Sequence, residues 1–170
     1  NQEIREVYKL QIQEWFKKKV FADTEQLQSF WQAFAMGDSE AVELFLNRTL
    51  SNSISVFDAK GRDEERENSY HMLLVGLLAG KADWLVRSNV EAGEGFADII
   101  VETDDLDDGV IVELKYAQTM TAMEKSCVKA LAQIRAKRYA EYLHNNGREK
   151  VLLYGIAFCK KKCRVMAEKL

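Results

Sequence analysis

Three charged residues stand inside strongly apolar stretches of this chain of 170 residues. Asp98 interrupts the apolar segment 97–101, and Glu113 and Lys115 interrupt the apolar segment 110–116. A buried charge is costly unless it is paired or used. Glu113 and Lys115 could form a structural ion pair. Alternatively, two carboxylates on neighbouring strands could hold Mg²⁺, which binds one or two carboxylates together with waters and phosphate oxygens. Lys115 could then orient a water or stabilise charge on a phosphorus.

The alternation of side chains within segment 110–116 determines which residues share a face. Period-two geometry sends Glu113 and Lys115 to the same face as Ile111, and places the other apolar residues on the opposite face. We expect the turn 104–109 to join this strand to the strand that carries Asp98 as an antiparallel pair. Asp98 and Glu113 would then face each other across the ladder, and their mutual repulsion would favour a divalent cation between them.

The hydrophobic pattern predicts two regions. In the first, apolar residues at three-to-four spacing predict helices at 4–16, 24–35 and 39–50, with Asp23 and Gln26 at capping-box spacing and Gly37 at a helix end. Residues 51–66 form a connection. The second region is predicted to contain a helix at 63–80, strands at 84–91, 97–103 and 109–116, a long helix at 121–143, and strands at 150–158 and 163–167. This order predicts an α/β or α+β fold with one sheet and two main helices, preceded by an N-terminal helical segment.

Composition places the chain among ordinary globular proteins. Hydrophobic residues make up 47% and charged residues 30%, and the eight Phe, six Tyr and three Trp supply the material for one well-formed core. These values exclude a disulfide-stapled mini-protein and a disordered tail. No apolar run approaches the ~18 residues of a membrane span. The missing initiator Met suggests a fragment of a longer protein, and no secretion signal is visible.

The three cysteines indicate a reducing compartment. Their number is odd and their spacing suggests no pairing, so we expect reduced thiols and a cytoplasmic location. Cys159 and Cys163 flank three lysines, and no second Cys/His pair accompanies them for zinc. We therefore expect these two thiols to lie in two strands on either side of a lysine turn.

Charge is distributed unevenly along the chain. Residues 1–124 hold 12 basic and 24 acidic side chains, whereas residues 125–170 hold 12 basic and 3 acidic side chains. A basic segment can bind a polyanion even when the whole protein is mildly acidic, because phosphates respond to the local potential. An ordinary solvated surface is the alternative interpretation.

The spacing of the three charged residues resembles the PD-(D/E)XK motif of a nuclease superfamily. Fourteen residues separate Asp98 from Glu113-Leu114-Lys115, on consecutive strands between two helices. Glu67 to His71 at the start of a Leu-rich helix, the Gly93-Glu94-Gly95 turn before Asp98, and segments 130–139 and 155–158 are similar to the nuclease-like C-terminal domain of bacterial AAA-ATPase-like proteins. The resemblance implies a restriction-endonuclease-like core with a central mixed sheet flanked by helices. It implies a helical linker segment at 1–58 toward an ATPase-like domain, and a nuclease-like domain at 59–170.

The resemblance also implies roles for individual residues. Asp98 and Glu113 would be metal ligands, with the Leu114 carbonyl as a third, for Mg²⁺ or Mn²⁺. Lys115 would be the catalytic lysine, and Gln133 would match the polar helix residue that steadies the site or contacts the phosphate backbone. Glu67 occupies a position from which many members supply another acid, and it could equally favour the helix dipole.

Several other residues near this motif have two possible interpretations each. Gln133 could be an ordinary exposed glutamine, and Lys129, Gln133 and Lys137 at i, i+4, i+8 could follow a nucleic-acid backbone or form a solvated stripe. His71 could be a base or a packed, hydrogen-bonded histidine. Phe96 stands where the family usually has Arg.

The implied activity is metal-dependent hydrolysis of nucleic-acid phosphodiester bonds, in DNA more than RNA. One alternative is a nuclease-fold domain that has lost turnover and binds nucleic acid. Another is a protein-interaction module that couples an ATPase domain to a partner. No Walker A motif lies in these residues, so an ATPase-like partner domain would be elsewhere in the full-length protein.

Overall fold

A computed structural model describes residues 7, 10–11, 13–20, 23–52 and 63–170 of the chain. Its helices are α1 Thr24–Met36, α2 Ser39–Ser51, α3 Asp63–Ala79, α4 Met123–Ala136 and α5 Ala140–Asn145, and its strands are β1 Leu85–Ala92, β2 Gly95–Glu102, β3 Asp108–Tyr116, β4 Lys150–Cys159 and β5 Lys162–Lys169. A π-helical segment, Phe16–Val20, precedes α1, and a 3₁₀ turn, Met120–Ala122, leads into α4. Much of the helix predicted at 4–16, and the domain boundary predicted at 58/59, lie outside the described residues.

The five strands form one mixed sheet in the order β1-β2-β3-β4-β5. Strands β3 and β4 are parallel, and the other neighbouring pairs are antiparallel. The α+β prediction is thus confirmed, and the architecture is consistent with a restriction-endonuclease-like core. Because β3 and β4 run in the same direction, their carboxyl ends lie at the same edge of the sheet.

Helices cover both faces of the sheet. Side chains of α1, α2 and α3 share one buried cluster with Ile99, Val112 and Leu114. Side chains of α4 and α5 share another with Ile100 and Ile111. Residues 99–101 of β2 and 110–112 of β3 therefore alternate between two cores. Among the described residues, no helix is long and apolar enough to cross a membrane.

The predicted caps of the first described helices are present. The Asp23 side chain accepts a hydrogen bond from the Gln26 backbone N–H at 3.2 Å, so Asp23 is the N-cap of α1. Gly37 ends this helix in the left-handed conformation, with φ of 79°. A short turn then leads into α2.

The prediction of one long helix at 121–143 is wrong. The segment contains two helices, α4 and α5, because the backbone of Arg138 adopts a left-handed φ of 54° between them. The β1–β2 turn packs against this break, and the Glu94 N–H donates to the Lys137 carbonyl at 2.8 Å. A Cβ atom at Gly93 would stand 2.1 Å from that carbonyl oxygen, so only glycine permits the contact. The helical pattern of the sequence continues through the break, which is why periodicity did not reveal it.

Candidate active site

The site begins where strands β2 and β3 stop pairing. Their antiparallel register ends at Ile99 opposite Val112. Asp98 and Glu113 are the next residues on the two strands, and they lie close enough for the charge of Asp98 to act on Glu113. At this point a side chain replaces the backbone ladder. The Asp98 carboxylate (Oδ2) accepts a hydrogen bond from the Leu114 backbone N–H at 2.8 Å. Asp98 therefore lies in the gap between the two strands and is fixed to β3.

Strand β2 is irregular at Asp98. Ala97 contributes to the core under α4 and α5, yet Ile99, two residues later, contributes to the core under α1 to α3. Regular alternation would place both on one face. On β1, Asn89 falls between the paired residues opposite Asp98 and has a left-handed φ of 52°. This distortion brings the Asp98 carboxylate out of the regular pleat and toward β3.

Glu113 and Lys115 lie on the face covered by α4, where Gln133 joins them. The Gln133 amide donates from Nε2 to Glu113 Oε1 at 2.7 Å and accepts at Oε1 from Lys115 Nζ at 2.6 Å. Lys115 Nζ also lies 3.6 Å from Glu113 Oε1. One amide therefore holds a carboxylate and an ammonium group of the same strand, and the sequence-based expectation that these two share a face is confirmed.

Close packing of α4 on the sheet makes this contact possible. Gly155 pairs with Glu113 in the β3–β4 register. A Cβ atom at Gly155 would stand 2.5 Å from the Cys127 carbonyl oxygen of α4. The absence of a side chain at Gly155 thus lets α4 lie directly on the sheet beside Glu113, within reach of the Gln133 amide.

Glu113 is only 4% exposed, and its Oε2 atom is buried without a hydrogen-bond partner. Burial, followed by the charge of Asp98, raises the pKa of Glu113 to about 8, while Lys115 acts in the opposite direction. A carboxylate oxygen buried without a partner is rare and costly. The partnerless Glu113 Oε2 atom is therefore consistent with a site that binds a positively charged group.

A sequence comparison agrees with this geometry. The profile of the PD-(D/E)XK nuclease superfamily matches residues 65–168, which include strands β1 to β4, helices α4 and α5, and all but the last residue of β5. The chain belongs to the PD-(D/E)XK nuclease superfamily. No curated protein matches the chain closely enough to count as a relative.

The donor set fits the divalent cation that PD-(D/E)XK nucleases generally use. Asp98 and Glu113 would hold it, and the partnerless Glu113 Oε2 is the observation that favours binding. The N–H and C=O of a strand residue point to the same edge. The Leu114 carbonyl therefore points to the side where its N–H meets Asp98, as a third ligand requires. Within the described part of the chain, no three acidic, His or Cys side chains gather into a metal cluster.

Glu67, the predicted additional acid, lies on α3 beside the same strand edge. Its Oε1 atom accepts a hydrogen bond from the Tyr116 backbone N–H at 3.2 Å. Donors two residues apart on a strand are about 7 Å apart. Glu67 and Asp98 therefore bind successive N–H groups of β3, at Tyr116 and Leu114, and both replace a strand partner there. The role of Glu67 as a metal ligand stays a prediction.

His71 lies on the α3 side of the site. Its Nε2 atom is 2.6 Å from the Ser88 hydroxyl, and its ring is half-buried. Burial lowers the pKa of His71, and the charge of Asp98 opposes this only in part. The ring is therefore neutral at neutral pH and is held by a serine, which favours the packed-histidine interpretation.

Tyr139 belongs to the site and was not identified from the sequence. Its hydroxyl accepts a hydrogen bond from Gln133 Nε2 at 3.2 Å. This contact leaves Gln133 Oε1 facing Lys115, so it fixes the orientation of the amide. Tyr139 is six residues beyond Gln133, and a continuous helix would place it on another face. The break at Arg138 changes the direction of the chain and places the Tyr139 hydroxyl next to Gln133.

Phe96 is 64% exposed, two residues before Asp98 on β2. Lys129 of α4 is exposed one turn before Gln133, and Lys137, at the C-cap of α4, is exposed four residues after it. Lys129 and Lys137 are therefore accessible on the surface, whereas Gln133, which stands between them in the i, i+4, i+8 series, belongs to the site.

Proposed function

We propose that this chain is a metal-dependent nuclease that hydrolyses phosphodiester bonds of nucleic acid, DNA in preference to RNA. The observation that carries the proposal is the pair Asp98 and Glu113, with Glu113 Oε2 buried and partnerless beside a lysine held by Gln133. Membership of the PD-(D/E)XK nuclease superfamily supports the reaction class. The preference for DNA rests on the resemblance noted above.

Each residue has a definite task in this proposal. Asp98 and Glu113 would hold Mg²⁺ or Mn²⁺, together with the Leu114 carbonyl. When bound, the cation would polarise a phosphate oxygen and acidify a water. Lys115 keeps its ammonium group partly exposed, with 31% of the side chain accessible, so it can contact a phosphate oxygen or an attacking water.

Gln133 positions both charged residues of β3 in this proposal. Because its amide binds Glu113 and Lys115 at once, it separates their charges and keeps the ammonium group on the open side of the site. A side chain that holds two reacting groups in place lowers the entropic cost of reaching the transition state.

The test is metal binding and cleavage by the same set of variants. Calorimetry with Mn²⁺ and Mg²⁺ should show binding to the wild type and no binding to Asp98→Asn or Glu113→Gln. Cleavage of plasmid DNA and of a single-stranded oligonucleotide should require the metal and fall at least about 10²-fold in these variants and in Lys115→Met.

A matched control is Glu102→Gln, which changes the other buried carboxylate of the described chain, at the far end of β2. This variant should keep metal binding and cleavage, measured at a temperature where it is folded. The proposal fails if the wild type binds no divalent cation, or if Glu102→Gln loses as much activity as Glu113→Gln.

A second candidate function is nucleic-acid binding without turnover. The observation that favours it is Phe96, because an exposed aromatic ring replaces the family's basic side chain next to Asp98. This function predicts nucleic-acid binding that weakens steeply with salt, and no metal-dependent cleavage of any substrate.

The resemblance supports two further parts of the proposal. One is an ATPase-like domain N-terminal to this chain in the full-length protein, coupled to it through the helical segment 1–58. The other is a cytoplasmic location. Cys127, Cys159 and Cys163 are all buried free thiols, which fits a reducing compartment.

A further inference from the structure

At the tip of the β4–β5 hairpin, both the backbone conformation and the closely spaced positive charges are unfavourable. Cys159 pairs with Lys162, so Lys160 and Lys161 form the two-residue turn, and three lysines follow one another. Lys160 has a left-handed φ of 53°, a conformation that glycine or asparagine adopts at much lower cost. Adjacent like charges add repulsion. Strained residues of this kind concentrate at functional sites, so the tip is a candidate for function.

Two helices hold the base of this hairpin. The Tyr70 hydroxyl of α3 donates a hydrogen bond to the Lys160 carbonyl, and the Tyr70 ring stacks on Phe158 with centroids 4.3 Å apart. Asn47 of α2 binds both backbone groups of Cys163, donating to its carbonyl at 3.2 Å and accepting from its N–H at 2.8 Å. The tip is therefore presented by a rigid support.

The hairpin tip lies at the same end of the sheet as the candidate active site. The parallel register pairs Lys115 with Ala157 and Tyr116 with Phe158. Lys160 is thus three residues beyond the level of Lys115 on the neighbouring strand, or about 10 Å at ~3.3 Å per residue.

The charges at the tip are available to a ligand. Lys160 and Lys162 are exposed, and within the described part of the chain neither forms an ion pair. The adjacent Arg164 differs, because it lies 3.7 Å from Glu43 and 4.0 Å from Glu124. The hairpin therefore adds uncompensated positive charge beside a site that holds two carboxylates.

We propose that the tip of the β4–β5 hairpin clamps the phosphate backbone of the substrate strand, beyond the phosphate bound at Asp98 and Glu113. Lys160 and Lys162 each contact one phosphate. This inference rests on the proposed function and adds the direction in which the substrate leaves the site, across the end of β4. It assigns a sequence-independent contact to the hairpin, because lysine binds phosphate as a point charge.

Fluorescence anisotropy with a labelled DNA duplex, at a series of salt concentrations and with Ca²⁺ in place of Mg²⁺, tests this contact. The double variant Lys160→Gln/Lys162→Gln should bind roughly tenfold more weakly per lysine at ~0.1 M salt. The slope of log K against log salt should fall by about two. Lys160→Gly should bind more weakly while its Tm rises by about 2–4 °C, because glycine relieves the left-handed backbone. A loss of binding with a gain in stability cannot come from unfolding.

The matched control is Lys150→Gln/Lys169→Gln, which removes the same charge from exposed positions on the same two strands at the opposite end of the sheet. It should leave affinity and salt slope unchanged. If the two double variants lose the same amount of affinity, the loss comes from the change in net charge, and the proposed hairpin contact is wrong. If the wild type binds and cleaves DNA but the hairpin variants bind it equally well, only the hairpin contact fails. If the wild type binds no nucleic acid, the hairpin contact and the nuclease function fail together.

Discussion

Glu102 and Glu113 are the two buried carboxylates of the described chain, on neighbouring strands at opposite ends of the β2–β3 pair, and their surroundings differ. Glu102 accepts from Asn146 Nδ2 at 3.2 Å and lies 3.8 Å from Arg148 and 4.0 Å from Arg87. Glu113 has one amide and one lysine near Oε1 and nothing at Oε2. Both residues are buried glutamates, but Glu102 has hydrogen-bond or ion-pair partners at both carboxylate oxygens, whereas Glu113 has them at only one.

This difference separates a structural charge from a functional one. At Glu102 the protein supplies its own cations, so the carboxylate is compensated in the folded chain alone. At Glu113 a second carboxylate, Asp98, stands nearby, and burial together with the charge of Asp98 raises the pKa of Glu113 despite the opposing effect of Lys115. A compensated buried charge holds the fold together, whereas an undercompensated one creates affinity for a cation from outside.

The largest effect on stability is expected at Glu102. Glu102→Ala should lower the free energy of unfolding by about 3 kcal/mol, because it leaves the Arg148 guanidinium without its carboxylate in a setting where only 13% of that side chain is exposed. Urea denaturation at pH 7 measures this. Arg87→Ala is the control and should cost under about 1 kcal/mol, since Arg87 is largely exposed. Equal costs for the two variants would contradict the structural role assigned to Glu102.

A pH-dependent effect of opposite sign is expected at Glu113. The folded-state pKa of about 8 lies above the ordinary value of 4.5, so the folded protein holds an extra proton between these values. The free energy of unfolding of the metal-free protein should therefore fall as pH rises from about 4.5 to about 8. Thermal unfolding between pH 5 and 9 measures this.

Glu113→Gln should lose this decline, and saturating Mn²⁺ should reduce it in the wild type, because either change removes the cost of an uncompensated charge. At pH 8 the metal-free Glu113→Gln variant should be more stable than the metal-free wild type. Parallel pH profiles for the two metal-free proteins would show that Glu113 is compensated after all.

A smaller effect is expected at Tyr139. Tyr139→Phe should cost about 1 kcal/mol of stability, since it removes one hydrogen bond to the Gln133 amide. Because the amide then loses the contact that orients it, cleavage should fall several-fold, mainly in kcat. Tyr142→Phe, on the short helix α5 that begins directly after Tyr139, is the matched control and should change neither quantity. If both variants behave alike, Tyr139 does not position Gln133.

Patterns among near neighbours in the sequence were enough to predict most elements. Strict alternation in segment 110–116 predicted β3 and placed Glu113 and Lys115 on one face, because side-chain direction along a strand repeats every two residues. Asp23 and Gly37 marked the ends of α1, because caps depend on a few consecutive residues. The single carboxylate in segment 97–101 predicted Asp98 as a candidate site residue, and the structure places it beside Leu114 of β3.

Other features depended on contacts between distant segments, and local patterns do not encode these. The left-handed Arg138 ends α4 against the β1–β2 turn and thereby brings Tyr139 to Gln133. The parallel pairing of β3 and β4 brings the lysine hairpin to the end of the sheet that carries Lys115. The partnerless Oε2 of Glu113 exists only because two strands and a helix close around it. Residue types and spacing thus determined which groups are available for chemistry, while packing decided which of them meet and which charge is left uncompensated.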